Sequence, residues 1–112
     1  MEIKTETLKR CELVVVSGQV DSASAPDLEH ALLGMIESGK KHIVINLRDV
    51  PFVSSAGLKA LISAQIKTRK GLPGGEIVLS EVPANLKDTF ELVGLVRLFN
   101  LYDRDAEAVG SF

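Results

Sequence analysis

The sequence predicts a single α/β domain in which helices pack on a mixed β-sheet. Short runs of β-branched residues alternate along the chain with stretches whose apolar residues recur every three or four positions. Strands separated by helices of this length need crossover connections, which place successive strands in parallel. The 112 residues fall in the usual range of one domain, and no linker, repeat or low-complexity segment divides them. We therefore predict one domain over residues 1–112.

A β-hairpin is predicted at the start of the chain. Residues 2–9 alternate weakly between apolar and polar, and residues 12–18 form an almost continuous apolar run. Such a β-branched run is typical of a strand that is buried on both faces. We expect the chain to turn around Arg10 and Cys11, between the two strands.

The first helix is predicted to begin at Ser24 and to continue until Gly39. Ser24 and Asp27, three residues apart, resemble a capping box, and Pro26 suits the first turn of a helix. The apolar residues that follow recur at helical spacing and define one face: Leu28, Ala31, Leu32, Met35 and Ile36. This face is expected to pack on the sheet.

A central strand and a second helix follow. Residues 43–47 are short, mostly β-branched and bounded by polar residues, as a buried central strand should be. The next helix is predicted to begin within Ser54 and Ser55 and to end at the glycine-rich residues 71–75. Its expected inward face consists of four aliphatic residues, namely Leu58, Leu61, Ile62 and Ile66.

The remaining elements are predicted from shorter patterns. Residues 76–80 read as a strand, and Pro83 is expected to open a third helix that stops at Gly94. Its expected inward residues are Leu86, Phe90 and Val93. A last strand within residues 95–101 and a short acidic helix from Asp103 complete the prediction.

Composition excludes several classes of function. Thirteen Lys and Arg stand against 15 Asp and Glu, so the net charge of -2 disfavours direct binding to nucleic acid. No apolar run reaches the roughly 20 residues that cross a bilayer, and no secretory segment follows Met1. The lone Cys11 cannot form an internal disulfide and lacks partners for a zinc site. We expect a cytoplasmic protein with no membrane insertion, metal or cofactor.

The stretch from Asn46 to Leu58 carries the most functional information, because an apolar strand leads there into two serines at a helix start. Free backbone N–H groups and the helix dipole would stabilise a phosphate on either serine. The spacing alone favours a simpler interpretation, in which Ser54 caps the helix and Ser55 is a tolerated first-turn residue.

This stretch resembles the signature of STAS domains, particularly that of bacterial anti-sigma-factor antagonists. Residues 18–21, Gly-Gln-Val-Asp, resemble the family's turn before the first helix, and residues 74–79 resemble its next strand. Residues 83–95 resemble its third helix, so the similarity covers nearly the whole chain. The resemblance implies a STAS fold and binding to an anti-sigma factor that is a serine kinase. It also implies phosphorylation of the hydroxyl residue that follows an Asp, with a phosphatase as a further partner.

Carried over residue by residue, the resemblance implies that Ser55 is the phosphoacceptor. Ala56 then occupies the position of the small residue after it, and Gly57 that of the helix-start glycine. Ser54 stands where the family has Asp, and it is the second, weaker candidate acceptor. A carboxylate at this position could contact a kinase, its metal or the backbone, whereas a hydroxyl can replace it only as a helix cap. This departure from the family pattern therefore counts against phosphorylation.

The expected partner-binding surface surrounds the two serines. Asp21 is expected at the same end of the fold, either facing a partner or stabilising its own turn. Lys59 lies outside the predicted apolar face of the second helix and should remain in solvent. The complete set of expected partner-binding residues is Asp21, Ser54, Ser55, Ala56, Gly57 and Lys59. The pattern indicates no particular oligomeric state.

Two other functions are weighed against this interpretation. Ser54 in place of Asp favours a STAS subunit that docks constitutively, without phosphorylation, in a transport or stress-signalling assembly. A small serine hydrolase or nucleotidase is disfavoured, because neither His30 nor His42 can be assigned as a base. Residues 71–75 also lack the Lys-Ser/Thr ending of a phosphate-binding loop.

Overall fold

Five strands form one mixed sheet in the computed structural model, which describes residues 1–112. The strands are β1 (Glu2–Thr7), β2 (Glu12–Ser17), β3 (His42–Asp49), β4 (Glu76–Ser80) and β5 (Leu101–Tyr102). The helices are α1 (Ala25–Glu37), α2 (Ser55–Arg69), α3 (Ala84–Leu92) and α4 (Asp105–Gly110), with a 3-10 turn at Leu95–Arg97. Strand order follows the sequence, with β1 antiparallel to β2 and the other pairs parallel. The predicted α/β class, mixed sheet and starting hairpin are confirmed.

The two faces of the sheet are covered unequally. One face carries a core of 19 buried residues, to which α1, α2 and α3 contribute. The other face has a cluster of four buried residues, including Ala108 of the short helix α4. Since α4 spans only six residues, it leaves Leu13 and Val15 half-buried, while Val14 and Val16 are fully buried. The prediction that this strand is buried on both faces is therefore wrong.

Helix α1 packs as predicted but is not capped as predicted. Leu28 and Leu32 are buried in the main core, and Met35 and Ile36 pack against it. The Ser24 side chain makes no capping bond to the helix. Its hydroxyl instead accepts a hydrogen bond from the Asp21 N–H at 3.0 Å, so the capping-box prediction is wrong.

The buried face of α2 differs from its predicted apolar stripe. Leu61 is buried and Leu58 and Ile62 are half-buried, but Ile66 keeps 44% of its surface exposed. Because α2 packs against α1 as well as the sheet, its contact surface includes small and polar residues. These buried residues are Gly57, Ala60, Ala64, Gln65 and Thr68.

Gln65 extends the hydrogen bonding of the sheet at β4. Strand β5 pairs only with Leu79 and Ser80, so it does not reach Ile77. The fully buried amide of Gln65 occupies this place. Its Oε1 accepts from the Ile77 N–H at 2.8 Å, and its Nε2 donates to the Ile77 carbonyl at 3.0 Å. Nε2 also lies 2.7 Å from the half-buried Leu98 carbonyl, which accepts from Arg69 Nη2 at 2.9 Å as well. One side chain thus satisfies both buried backbone groups of Ile77.

The segment after α3 is helical where a strand was expected. Gly94 adopts a φ of 78°, which confirms it as the helix stop, and the chain then enters the 3-10 turn. Leu95 and Phe99 both enter the core, whereas Arg97 between them is exposed. In a strand all three side chains would share one face, so the pattern suits a helical turn. Val93, expected inward, lies beyond the end of α3 and is 56% exposed.

The final helix begins at Asp105 rather than at Asp103. None of the helices in the structure is both long and apolar enough to cross a membrane.

We predict that Gln65→Met destabilises the domain by about 2–4 kcal/mol, because methionine keeps the volume but leaves the buried N–H and carbonyl groups of Ile77 without the partners that Gln65 supplies. Urea unfolding monitored by circular dichroism measures this change. The matched control is Ile66→Ala, at the exposed neighbouring position, which should alter stability by about 0.5 kcal/mol or less. Equal stability of Gln65→Met and the wild type would contradict the role given to Gln65.

Candidate functional site

Two loops meet where the parallel strands β2 and β3 end. Val20 in the β2–α1 loop and Val53 in the β3–α2 loop form a parallel bridge. The Val20 N–H donates to the Phe52 carbonyl at 2.9 Å, and the Ser54 N–H donates to the Val20 carbonyl at 2.8 Å. This bridge places the turn containing Asp21 beside the serines at the start of α2.

Ser54 caps α2. Its backbone is extended, with φ of -76° and ψ of 172°, and its Oγ accepts a hydrogen bond from the Gly57 N–H at 3.2 Å. The Ser54 carbonyl accepts from the Leu58 N–H at 2.9 Å, which begins the helical ladder. The hydroxyl of Ser54 is therefore engaged within the protein, as the capping interpretation expects.

Ser55 occupies a different environment one residue later. It is the first residue of α2, and its side chain is exposed, whereas Ala56 is half-buried. The first N–H groups of a helix lack carbonyl partners within the helix, and together they carry a partial positive charge. A negatively charged group attached to the Ser55 oxygen would thus lie in a favourable field at the protein surface.

Gly57 allows the start of α2 to sit directly on the bridge. A Cβ at this position would lie 2.7 Å from Cγ1 of Val53 and 2.8 Å from Cγ1 of Val20. Both valines are buried in the main core, so neither can move away freely. Gly57 therefore allows α2 to pack closely on Val20 and Val53, and these two valines position the serines.

Asp21 organises its own turn and keeps its charge in solvent. Its Oδ1 accepts from the backbone N–H groups of Ser24 and Ala23, each at 3.0 Å, and lies 3.2 Å from the Ser24 hydroxyl. These bonds, led by the Ser24 backbone N–H and then the Ser24 hydroxyl, lower the pKa of the Asp21 carboxyl. The turn-stabilising role weighed for Asp21 is present, and it leaves a half-buried anion in the turn next to the serines.

Lys59 is exposed on α2, about one turn after Ser55, and forms none of the ion pairs in the structure. It lines one wall of a shallow groove between α1 and α2. Glu29 lines the same groove. The surface beside Ser55 therefore presents charges of both signs, and no strong field of one sign.

The candidate catalytic groups do not assemble around Ser55. His42 begins β3, at the opposite end of that strand, and its ring lies 5.1 Å from the ring of Phe112. His30 is exposed on α1. No three His, Cys, Asp or Glu side chains come together as ligands for a metal ion.

Sequence reasoning overlooked Phe52, which is 49% exposed in the β3–α2 loop. Pro51 and Phe52 are exposed between the buried Val50 and Val53, so Phe52 is the larger of two apolar side chains that the loop turns outward. The signal available in the sequence was its position between Pro51 and the serines, in a segment already marked as functional.

Comparison with known proteins gives one family over nearly the whole chain. A family model described as STAS domain matches residues 2–108. An anti-sigma-B factor antagonist of Staphylococcus aureus is 29% identical over 103 residues, covering 90% of this chain and 92% of that protein.

Solved structures share the fold. An anti-sigma factor antagonist from Mycobacterium paratuberculosis superimposes with a TM-score of 0.86 at 28% identity, covering 98% of this chain and 92% of that one. The Bacillus cell fate determinant SpoIIAA in its phosphorylated form superimposes with a TM-score of 0.74 and covers 98% of each chain. At 16% identity, this second likeness concerns the fold alone.

We predict that Gly57→Ala destabilises the domain by about 1–3 kcal/mol, because the added Cβ overpacks the contact with Val20 and Val53. The matched control is Gly34→Ala in α1, where an added Cβ meets no atom within 4 Å. Alanine should stabilise that exposed helical position by up to about 1 kcal/mol. Thermal unfolding of both variants measures the difference, and equal effects at the two glycines would contradict the close approach at Gly57.

We predict a pH-dependent role for Asp21. Its folded pKa lies below the unfolded value of about 3.9, so its contribution to stability is present in full above the unfolded pKa. The contribution is lost as the pH falls through the folded pKa. The difference in unfolding free energy between the wild type and Asp21→Asn should therefore shrink between about pH 6 and pH 2. A difference that stays constant over this range would argue against the charged turn.

Proposed function

Because the chain belongs to the STAS domain family, we propose that it is an anti-sigma-factor antagonist whose activity is switched by phosphorylation of Ser55. In this function it binds an anti-sigma factor that is also a serine kinase, and the sigma factor is thereby released. A phosphatase restores the unmodified form. The domain acts as a binding module, and the chemistry belongs to its partners.

One observation supports this proposal: the two serines have different surroundings in the structure. The hydroxyl of Ser54 is held by the helix cap, while Ser55 is exposed at the first position of α2. An acceptor must present its oxygen to the active site of a kinase without unfolding the domain. Ser55 meets this requirement, and Ser54 would have to give up the cap.

The relatives supply the second line of support. The Staphylococcus aureus and Mycobacterium paratuberculosis proteins are both named as anti-sigma factor antagonists, and this chain aligns with them over nearly its full length. SpoIIAA, which shares the fold, has been solved in a phosphorylated form. A protein of this fold can therefore carry a phosphate.

The switch follows from the charge of the modification. A phosphate adds about -1.5 to -2 charges at neutral pH to a surface residue that carries none. The helix N-terminus stabilises this charge within the domain, so the fold need not change. A partner surface that fits the small, neutral Ser55 would instead meet a bulky dianion and lose affinity. The half-buried carboxylate of Asp21, in the neighbouring turn, would add to the repulsion of an acidic partner surface.

Ser54 supports one alternative. A carboxylate at its position could assist a kinase, and the hydroxyl present here replaces only the cap. A STAS subunit that docks constitutively in a transport or stress-signalling assembly would not need this carboxylate. The two functions differ in whether the partner modifies the domain.

Phosphorylation is tested with purified serine-kinase anti-sigma factors encoded in the same genome. We expect one phosphate on Ser55 by mass spectrometry, and we expect Ser55→Ala to keep the fold and abolish the modification. The matched control is Ser54→Ala, which should lose about 1 kcal/mol of stability through the cap yet remain phosphorylated. Ser54→Asp keeps a capping oxygen and adds the family's carboxylate, so it should be modified at least as fast.

Four results would contradict all or part of the proposal. Phosphate on Ser54 alone, or undiminished phosphate in Ser55→Ala, would overturn the assignment of the acceptor. Binding without phosphate in any variant would favour the constitutive docking subunit. The absence of a complex with every kinase anti-sigma factor tested would refute the proposed function itself.

A further inference from the structure

We infer that Phe52 is the apolar anchor of the partner interface, inserting into an apolar pocket on the anti-sigma factor beside the site that receives Ser55. This inference rests on the proposed function and extends its interface from the start of α2 into the β3–α2 loop. It assigns Phe52 a docking role that is independent of phosphate transfer.

The backbone on both sides of Phe52 is held in place. Its own carbonyl accepts a hydrogen bond from the Val20 N–H at 2.9 Å, and the preceding carbonyl of Pro51 accepts from Asn85 Nδ2 at 3.1 Å. Val53, which follows, is buried in the core. The aromatic ring is thus presented by a fixed loop, and little backbone freedom is lost when a partner covers it.

The exposure of Phe52 is unusual within this chain. The protein has four Phe, one Tyr and no Trp. Phe90 and Phe99 are buried, and Tyr102 and Phe112 are half-buried. Phe52 is therefore the one exposed side chain among the Phe and Tyr residues. Its 49% exposure leaves much of the ring available for burial by a partner. Aromatic side chains in such positions often supply a large share of the binding free energy.

The location of Phe52 identifies the occupant of this surface. The bond to Val20 joins it to the same bridge that positions Asp21 and Ser54, and Ser55 follows three residues later. A protein that reaches the exposed Ser55 hydroxyl therefore approaches the loop that carries Phe52. Two leucines are also strongly exposed, but they lie elsewhere: Leu72 in the loop between α2 and β4, and Leu92 at the end of α3.

The experiment compares binding of wild-type protein, Phe52→Ala and Leu92→Ala to each purified kinase anti-sigma factor from the same genome, by isothermal titration calorimetry. Leu92 is 88% exposed on α3 and provides a matched loss of surface apolar area. We expect Phe52→Ala to weaken binding about tenfold or more while the variant remains folded by circular dichroism. Leu92→Ala should bind within about twofold of the wild type.

Phosphorylation kinetics give a second measurement. A docking contact raises the KM of the kinase for Phe52→Ala and leaves kcat unchanged. If the alanine variant unfolds, Phe52→Leu decides the matter, because leucine keeps an apolar side chain but lacks the ring, and it should still bind several-fold more weakly than the wild type.

The outcomes separate this inference from the proposed function. Wild-type affinity of a folded Phe52→Ala or Phe52→Leu variant, or an equal loss in Leu92→Ala, would overturn the anchor while the antagonist function stands. A fall in kcat with KM unchanged would likewise overturn it as a docking contact. Failure of the wild-type protein to bind any kinase anti-sigma factor would overturn both.

Discussion

The backbone bridge between Val20 and Val53 is the constraint on which the candidate site depends. It joins two loops that are more than thirty residues apart and ties the turn of Asp21 to the start of α2. The bridge works only because Gly57 carries no Cβ, which lets the helix rest on both valines. Core packing and surface presentation are therefore coupled at this point, because the same valines that close the core determine where the serines lie.

A side chain also completes the hydrogen bonding of the sheet at strand β4. Strand β5 is only two residues long, and the buried amide of Gln65 supplies the bonds that a longer strand would have made to Ile77. The bonds of Gln65 anchor the second half of α2, while the bridge anchors its N-terminus. A helix held at two points presents its first residue in a defined position, as the proposed modification of Ser55 requires.

Neighbouring polar residues in the site carry separate loads. Ser54 satisfies the helix cap and Asp21 satisfies the N–H groups of its own turn, so neither side chain is free to respond to a partner without a cost in stability. Ser55 and Phe52 carry no such internal task and face solvent. In the interface we propose, the supporting residues hold the geometry, and the residues without internal partners meet the other protein.

The sequence by itself determined the fold class, the order of the elements and the segment that carries the site. Apolar periodicity and glycine stops are local signals, and they located α1, β3, α2 and the end of α3 at Gly94. Tertiary structure decided the rest. The inward role of Gln65, the exposure of Ile66 and Phe52, and the helical turn at Leu95 depend on which neighbour covers each face. The cap at Ser24 failed as a prediction because the Ser24 hydroxyl bonds to Asp21 and Gln19 in the preceding turn, and the Asp21 carboxylate accepts from the Ser24 N–H. The folded conformation of that turn decides this choice of partners.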